Sequence, residues 1–268
     1  CGLWTMGEQR PRAVAIIPAR GGAEQVRRKN LQRVGGVPLV ERAVRAAAAA
    51  SGIDLVVVST DDDEIAAVAT AAGARVIRRP AELAGDTATS ESAILHALDE
   101  LEAPGDSVGI VAFLQATSPF IPSDALAAAV EEIRADRADS VFAAHETYGF
   151  LWREDDRGDA VAINHEAAHR PRRQDREPHH LETGAFYVFR AEGFRESRHR
   201  FFGRTRIAAV PEWTAIEIDD ADQLRAARAL ASLHEVLGPI PVRAVVTDFD
   251  GVHTDDTAII DADGGERV

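Results

Sequence analysis

Two short segments of this chain carry residues that could handle a polyphosphate. The first is Pro18-Ala19-Arg20-Gly21-Gly22, followed by Arg27-Arg28-Lys29-Asn30-Leu31. An unbroken apolar run, Ala13-Val14-Ala15-Ile16-Ile17, leads into it. A buried strand that opens into a cationic, glycine-containing loop turns backbone N–H groups and positive charge toward one spot. Arg20 offers a planar fork for phosphate oxygens, and Lys29 a compact point charge. Lys29 is the only lysine in the chain; every other basic side chain except histidine is arginine. It is either kept for such a contact or a chance survivor on a solvated loop, and this segment alone leaves both open. The second segment is Ile216-Glu217-Ile218-Asp219-Asp220. Glu217 and Asp219, two residues apart, would point to one side of a short strand. Two close carboxylates repel unless a cation lies between them, and Mg2+ (or Mn2+), shared with phosphate oxygens, suits that place. Asp220 is read as the cap of the helix that follows, with Asp219 as the other candidate.

The elements that must position these residues alternate between strand and helix. Leu55–Ser59, Ala74–Ile77, Val108–Leu114 and Ser140–Ala144 read as strands, mostly continuous apolar runs. Residues 61–72, 90–101 and 123–135 read as helices, the first with acidic residues in its opening turn and the last capped by Ser123. Repeated β-α-β order with non-alternating strands predicts an α/β fold. Its sheet should be mostly parallel, with helices on both faces. Ligands of such sheets bind beyond the carboxyl ends of the strands, where Arg20, Asp61 and Gln115 fall. Residues 148–210 are less regular and read as a β-rich insertion whose clearest strand is Gly184–Phe189. Residues 221–237 form a terminal helix, and Gly238-Pro239-Ile240-Pro241 breaks it as a linker. There is no internal repeat, and the only low-complexity tract is the alanine run 46–50.

A chain of 268 residues suffices for one large α/β domain and part of another. No apolar run reaches the roughly 18 residues needed to span a bilayer, so no membrane partner is expected. The start lacks the pattern of a signal peptide. Met6 is read as the natural start, and 1–12 as an N-terminal extension. The single cysteine, Cys1, leaves no internal disulfide and no thiolate metal site, which favours the cytoplasm. A net charge of −14 argues against nucleic acid as a partner. Yet Glu8 to Arg45 holds nine basic and three acidic residues, and 165–206 is also rich in basic residues. These segments suit small anionic ligands, or are simply solvated basic faces.

Four segments together carry a family resemblance. They are the Pro18–Leu31 stretch, Arg79-Pro80-Ala81-Glu82-Leu83-Ala84 with Asp86, Thr87 and Ser90, Leu114-Gln115-Ala116-Thr117-Ser118-Pro119, and Ile216–Asp220. In this order and spacing, over about residues 13 to 236, the chain resembles the CMP-sialic acid synthetases (N-acylneuraminate cytidylyltransferases). The resemblance implies a Rossmann-like nucleotidyltransferase fold, usually dimeric. It also implies transfer of CMP from CTP, with Mg2+, to the anomeric hydroxyl of an acidic nine-carbon sugar, with release of pyrophosphate. By the same resemblance Arg20 and Lys29 are catalytic, and both contact the nucleotide together with Gly21, Gly22, Asn30, Arg79 and Ser90. Arg79 and Ser90 would otherwise read as a surface turn and a helix cap. Gln115, Arg172 or Arg173, and Tyr187 are implied around the sugar, with one of the arginines facing its carboxylate; Tyr187 reads equally as a half-buried strand tyrosine. Phe201-Phe202 resembles an aromatic pair supplied by a partner subunit, or is ordinary core. Asp219 is the preferred metal ligand, because Glu217 stands where the family has aspartate and is one methylene longer.

The chain departs from the family elsewhere. Ala23-Glu24-Gln25 replaces Ser-Lys-Gly, a charge reversal beside the phosphates, and Trp152 and Ile121 replace basic residues. The acceptor could therefore be another acidic sugar (legionaminic, pseudaminic, deaminated neuraminic or octulosonic acid), or the chain could be a catalytically impaired nucleotide-binding homologue. His179-His180 lacks metal-ligand spacing. At the far end, Val245–Val252 with Asp248 and Asp250 resembles the first motif of haloacid-dehalogenase-like phosphatases. Residues 242–268 then read as the incomplete start of such a domain, without phosphatase activity.

Overall fold

The computed structural model describes residues 11–22, 26–85, 88–103 and 107–235, and the backbone of 259–260 and 266–267. By its internal contacts the chain divides into two units, Cys1–Glu235 and Val236–Val268. In the first, a seven-stranded sheet is built from β1 (Ala13–Pro18), β4 (Leu55–Thr60), β5 (Arg75–Arg78), β6 (Ile110–Leu114), β7 (Ser140–Thr147), β10 (His179–Arg190) and β11 (Thr205–Ala209). Small two-stranded ribbons join β2 (Arg33–Val34) to β3 (Val37–Pro38) and β8 (Trp152–Glu154) to β9 (Ala160–Ala162). The strand order across the large sheet is β11-β7-β10-β6-β1-β4-β5. Strand β10 runs antiparallel to both neighbours, and the other ladders of this sheet are parallel.

Burial explains why the central strands are continuous apolar runs. Ala13, Ala15 and Ile17 of β1 pack with Val40 and Val44 of α1 (Leu39–Ala49), Ile65 of α2 (Asp63–Ala71) and, across the same face, Leu126 of α4 (Ser123–Arg134). Val14 and Ile16 point the other way, onto Ile94 and Leu98 of α3 (Ser90–Glu102) and Phe194 of α5 (Ala191–Ser197). A strand covered on both faces has no polar side to alternate with. The alanine run 46–50 turns out to lie mostly within α1.

Several expected boundaries move, for local reasons. The helix expected from 61 begins at Asp63, because the Asp62 carboxylate accepts the N–H groups of Glu64 and Ile65 and so caps it. Ser123 is the first residue of α4 rather than its cap; Pro122 holds the cap position, with no side-chain hydrogen bond. Residues 148–210 are not one insertion. Strands β10 and β11 belong to the main sheet, and only the stretch between β7 and β10, with its β8–β9 ribbon, departs from it. The terminal helix α6 (Ala221–His234) stops short of 237, since Glu235 is extended and its carboxylate turns back onto Arg42.

Glu217 and Asp219 do not lie on a strand. Their segment is held instead by the Ile218 N–H, which donates to the Thr117 carbonyl at 2.9 Å, with the Ile218 side chain fully buried. The second unit contains β12 (Ile259–Ile260) antiparallel to β13 (Glu266–Arg267). Asp248, Asp250, the 238–241 linker, Met6 and Ala23-Glu24-Gln25 lie outside the described residues.

Candidate active site

The chain runs outward from β1 through β4 to β5, then returns to place β6 on the other side of β1. Such a reversal opens a crevice beyond the strands' carboxyl ends. A cleft of about 400 Å³ lies there. Its floor and one wall come from the end of β1 and the loop after it, through Arg20, Gly22, Lys29 and Asn30. Arg79 after β5 and Thr89 and Ser90 at the start of α3 form a second wall. Gln115 and Thr117 after β6, with Asp219, close the third.

Side-chain contacts fix the cationic loop. Asn30 is buried, and its amide donates to the Arg20 carbonyl at 2.9 Å. The Gly21 N–H donates to Asp61 Oδ1 at 3.0 Å, so this backbone donor is already engaged within the protein. A Cβ on Gly21 would fall 2.7 Å from Asp62 Oδ2, whereas one on Gly22 would meet nothing within 4 Å. Only the first glycine is demanded by close approach. Arg28 takes the left-handed conformation and pairs with Glu64, leaving Lys29 next to it to reach Asp219 Oδ1 at 3.0 Å.

Arg79 is not on a surface turn. It is 9% exposed; its Nε donates to Ser59 Oγ at 3.2 Å and its Nη2 to the Ser59 carbonyl at 2.6 Å. Burial lowers its pKa; the charge of Asp61 works against that and the charge of Arg20 adds to it. Ser90 opens α3 beside Thr89, whose hydroxyl accepts the Ser92 N–H and so caps the helix. The positive end of that helix dipole therefore faces the cleft.

The two acids behave differently. Asp219 is exposed and lines the cleft. Glu217 is half-buried and does not line it; its Oε1 accepts from Gln115 Nε2 at 3.2 Å and from Thr117 Oγ1 at 3.1 Å. Burial raises the Glu217 pKa, the nearby charge of Asp219 adds to the rise, and the Thr117 bond opposes it. Asp220 is the helix cap: its carboxylate accepts the Asp222 and Gln223 N–H groups, and Gln223 answers its backbone N–H. Among the described residues no three His, Cys, Asp or Glu side chains form a cluster able to hold a metal.

Three predicted sugar contacts do not reach this cleft. Arg172 pairs with Asp175 at 2.6 Å and Arg173 lies over the Tyr148 ring at 4.3 Å, both exposed on the stretch between β7 and β10. Tyr187 is buried behind the wall, stacked on Phe113 at 5.4 Å. Its hydroxyl bonds to Glu182, and burial first, then that bond, pushes its pKa upward. Phe201 packs on Phe142 and Tyr187, and Phe202 on Phe189, so the pair lies half-buried against the chain's own core. Ile121 is buried, Trp152 is exposed beside His165, and His179 and His180 are exposed on β10. Sequence reasoning passed over Thr89 and Thr117 as individual site residues. Thr89 was legible as the residue before a helix, and Thr117 sits two residues after Gln115 at the end of an apolar strand.

A family model described as Cytidylyltransferase matches residues 14–203. The chain belongs to that family. Among curated cytidylyltransferases it is 33% identical over 271 residues to the N-acylneuraminate cytidylyltransferase of Oncorhynchus mykiss, an alignment covering 98% of this chain and 60% of that protein. It is 29% identical over 223 residues to the pseudaminic acid cytidylyltransferase of Campylobacter jejuni, covering 81% and 95%. The chain thus spans about three fifths of the length of the Oncorhynchus mykiss protein and of the N-acylneuraminate cytidylyltransferase A of Danio rerio. Among solved structures, a CMP:2-keto-3-deoxy-manno-octonic acid synthetase complexed with CTP superposes with a TM-score of 0.62 at 19% identity, over 83% of this chain and 99% of that one. A 4-diphosphocytidyl-2C-methyl-D-erythritol synthase gives the same score at 16% identity, over 83% and 99%. Both share the α/β fold with its mostly parallel sheet.

Proposed function

We propose that this protein transfers CMP from CTP to the anomeric hydroxyl of an acidic, sialic-acid-like nonulosonic sugar. The sugar oxygen forms a bond to the α-phosphorus as the bond from that phosphorus to pyrophosphate breaks, and the hydroxyl proton leaves to solvent or phosphate. The observation that carries this reading is one cleft, at the sheet's switch point, lined by Arg20, Lys29, Arg79, Ser90, Gln115 and Asp219.

In such a transfer the protein aligns groups and stabilises charge; no covalent intermediate on it is needed. Arg20 and Lys29 neutralise the triphosphate. Arg79 and Ser90 hold the nucleoside end, and Asn30 keeps the Arg20 backbone in place. Gln115 faces the sugar. Asp219, an exposed carboxylate on the cleft, would hold Mg2+ (or Mn2+) together with the nucleotide, since oxygen donors suit this hard cation. When bound, the ion offsets charge that builds on the leaving phosphates.

Relatives acting on sialic and on pseudaminic acid support an acidic nine-carbon acceptor without choosing between them. We further propose a homodimer. Leu151, Trp152 and Ile163, between β7 and β10, and Leu181 on β10 expose apolar side chains that a second copy would cover. Pyrophosphate release from CTP across a panel of sialic, legionaminic, pseudaminic, deaminated neuraminic and octulosonic acids tests the reading. Release with one nonulosonic acid supports it and names the substrate. Tight CTP binding with no turnover on any acid would replace it with a nucleotide-binding role.

A further inference from the structure

The acidic segment 217–219 shows two neighbouring carboxylates doing different work. Asp219 faces Lys29 across the cleft, while Glu217 stands behind the wall with Oε1 bound to Gln115 and Thr117. Its other oxygen lies against Gly184, where an added Cβ would sit 3.0 Å from Glu217 Oε2 and equally 3.0 Å from Gln115 Oε1. Gly184 has φ +71, a conformation that favours glycine, and the Gln115 N–H is held by the Ala185 carbonyl at 3.2 Å. The Gln115 amide is thereby held on this side: nitrogen toward a carboxylate, oxygen beside the space that a glycine leaves free.

We propose that Glu217 is a positioning residue that fixes the Gln115 amide with its nitrogen inward, rather than a ligand of the metal ion. An unconstrained glutamine presents donor or acceptor by rotating its amide through half a turn. Here rotation would set the amide oxygen against Glu217 Oε1, the oxygen that also accepts from Thr117. The lock leaves one N–H of Gln115 for an acceptor atom of the sugar. Glutamate supplies the reach: Ile218 is pinned to the Thr117 carbonyl, and a shorter aspartate from the same backbone would fall one methylene short of Gln115.

The inference rests on the proposed transfer reaction, and the test separates the two. Steady-state turnover is measured for wild type, Glu217→Gln and Glu217→Asp, varying sugar acid, CTP and Mg2+ in turn. Glu217→Gln keeps an oxygen that can accept from Gln115 and Thr117, but its own amide also fits a turned Gln115, so the lock is loosened. Its sugar KM should rise about threefold, less than in Glu217→Asp, with an unchanged Mg2+ requirement. Glu217→Asp should raise the sugar KM about tenfold while leaving the CTP KM in place, which also reports an intact fold. A metal ligand predicts the reverse order. Glu217→Gln would then lose turnover and demand more Mg2+, and Glu217→Asp would keep or gain activity; that pattern overturns the inference. An unchanged sugar KM in Glu217→Asp overturns it as well, with the transfer reaction left standing. Absence of turnover in wild type defeats both.

Discussion

Replacing Lys29 with methionine keeps the length of the side chain and removes its charge. Two effects of this change can be separated by size. The first is on stability. Lys29 pairs with Asp219 at 3.0 Å, with side-chain exposures of 19% and 53%. An ion pair with one partner this open to water contributes about 0.2–1 kcal/mol. The urea midpoint should therefore move little. The second effect is on the reaction. If Lys29 meets negative charge that develops on the phosphates in a partly enclosed cleft, its loss resembles removal of an oxyanion donor, about 2.7–4 kcal/mol, or roughly 10²–10³ in turnover. The assay is pyrophosphate release from CTP at saturating sugar acid, beside urea denaturation of both proteins. A turnover loss below about tenfold, which corresponds to 1.36 kcal/mol, would refute the assignment. So would a stability loss large enough to account for the drop, because Lys29 would then be a structural partner of Asp219. Asp219→Asn provides the matching arm, and should reduce turnover while leaving the urea midpoint nearly in place.

Gly21→Ala should weaken CTP binding about tenfold and cost α2 roughly 1 kcal/mol, since its Cβ would fall 2.7 Å from the Asp62 oxygen. Isothermal titration with CTP checks this, and a dissociation constant within about twofold of wild type would mean that the loop adjusts freely. Asp139 accepts from the Arg204 backbone and guanidinium, and from Arg190 at 3.2 Å. The Arg204 bonds, helped by Arg190, hold its pKa well below the ordinary 3.8. A depressed folded value contributes stability that is complete above the ordinary carboxylate range and is lost as pH falls through the folded value. Asp139→Asn should thus lower the urea midpoint near pH 7, and the gap should narrow below about pH 4; a gap that is constant down to about pH 2 would contradict the assignment. His179 is exposed on β10, away from the cleft. His179→Ala should leave turnover unchanged and stability within about 0.5 kcal/mol, as turnover and urea assays would show.

Legibility in the sequence tracked burial. Strands β1, β4 and β6 could be read because both their faces are covered, leaving runs such as Val56-Val57-Val58 without a polar interruption. Strand β11, Thr-Arg-Ile-Ala-Ala, sits at the sheet edge and is mostly exposed, so its pattern carries no such mark. The first four residues of β10 are likewise exposed, and the sequence reading began that strand only at Gly184. The cationic turn was legible as a cluster of residue types. Its inner wiring was not, since the approach of Asp61 and Asp62 to Gly21 joins residues 40 and 41 apart through tertiary packing. Arg79 shows the same limit, because only the fold reveals that Ser59 lies beneath its guanidinium.

The acids at 217, 219 and 220 make the strongest case that position, rather than residue type, assigns the chemistry. All three are carboxylates within four residues, and composition cannot tell them apart. Gln223 closes a capping box with Asp220 and so commits that side chain to the start of α6. Burial of Ile218 and its bond to Thr117 fix the backbone between the other two. Glu217 is then directed inward to the amide after β6, and Asp219 outward to the ammonium after β1. Strands β6 and β1 are adjacent, so one short segment ties the proposed sugar side of the cleft to its phosphate side. A shift of Ile218 would disturb both at once. Ile218→Ala should therefore raise the KM for CTP and for the sugar acid together, in contrast to Glu217→Asp, which should move only the latter. Separate effects from the Ile218 variant would show that the two walls are not mechanically joined.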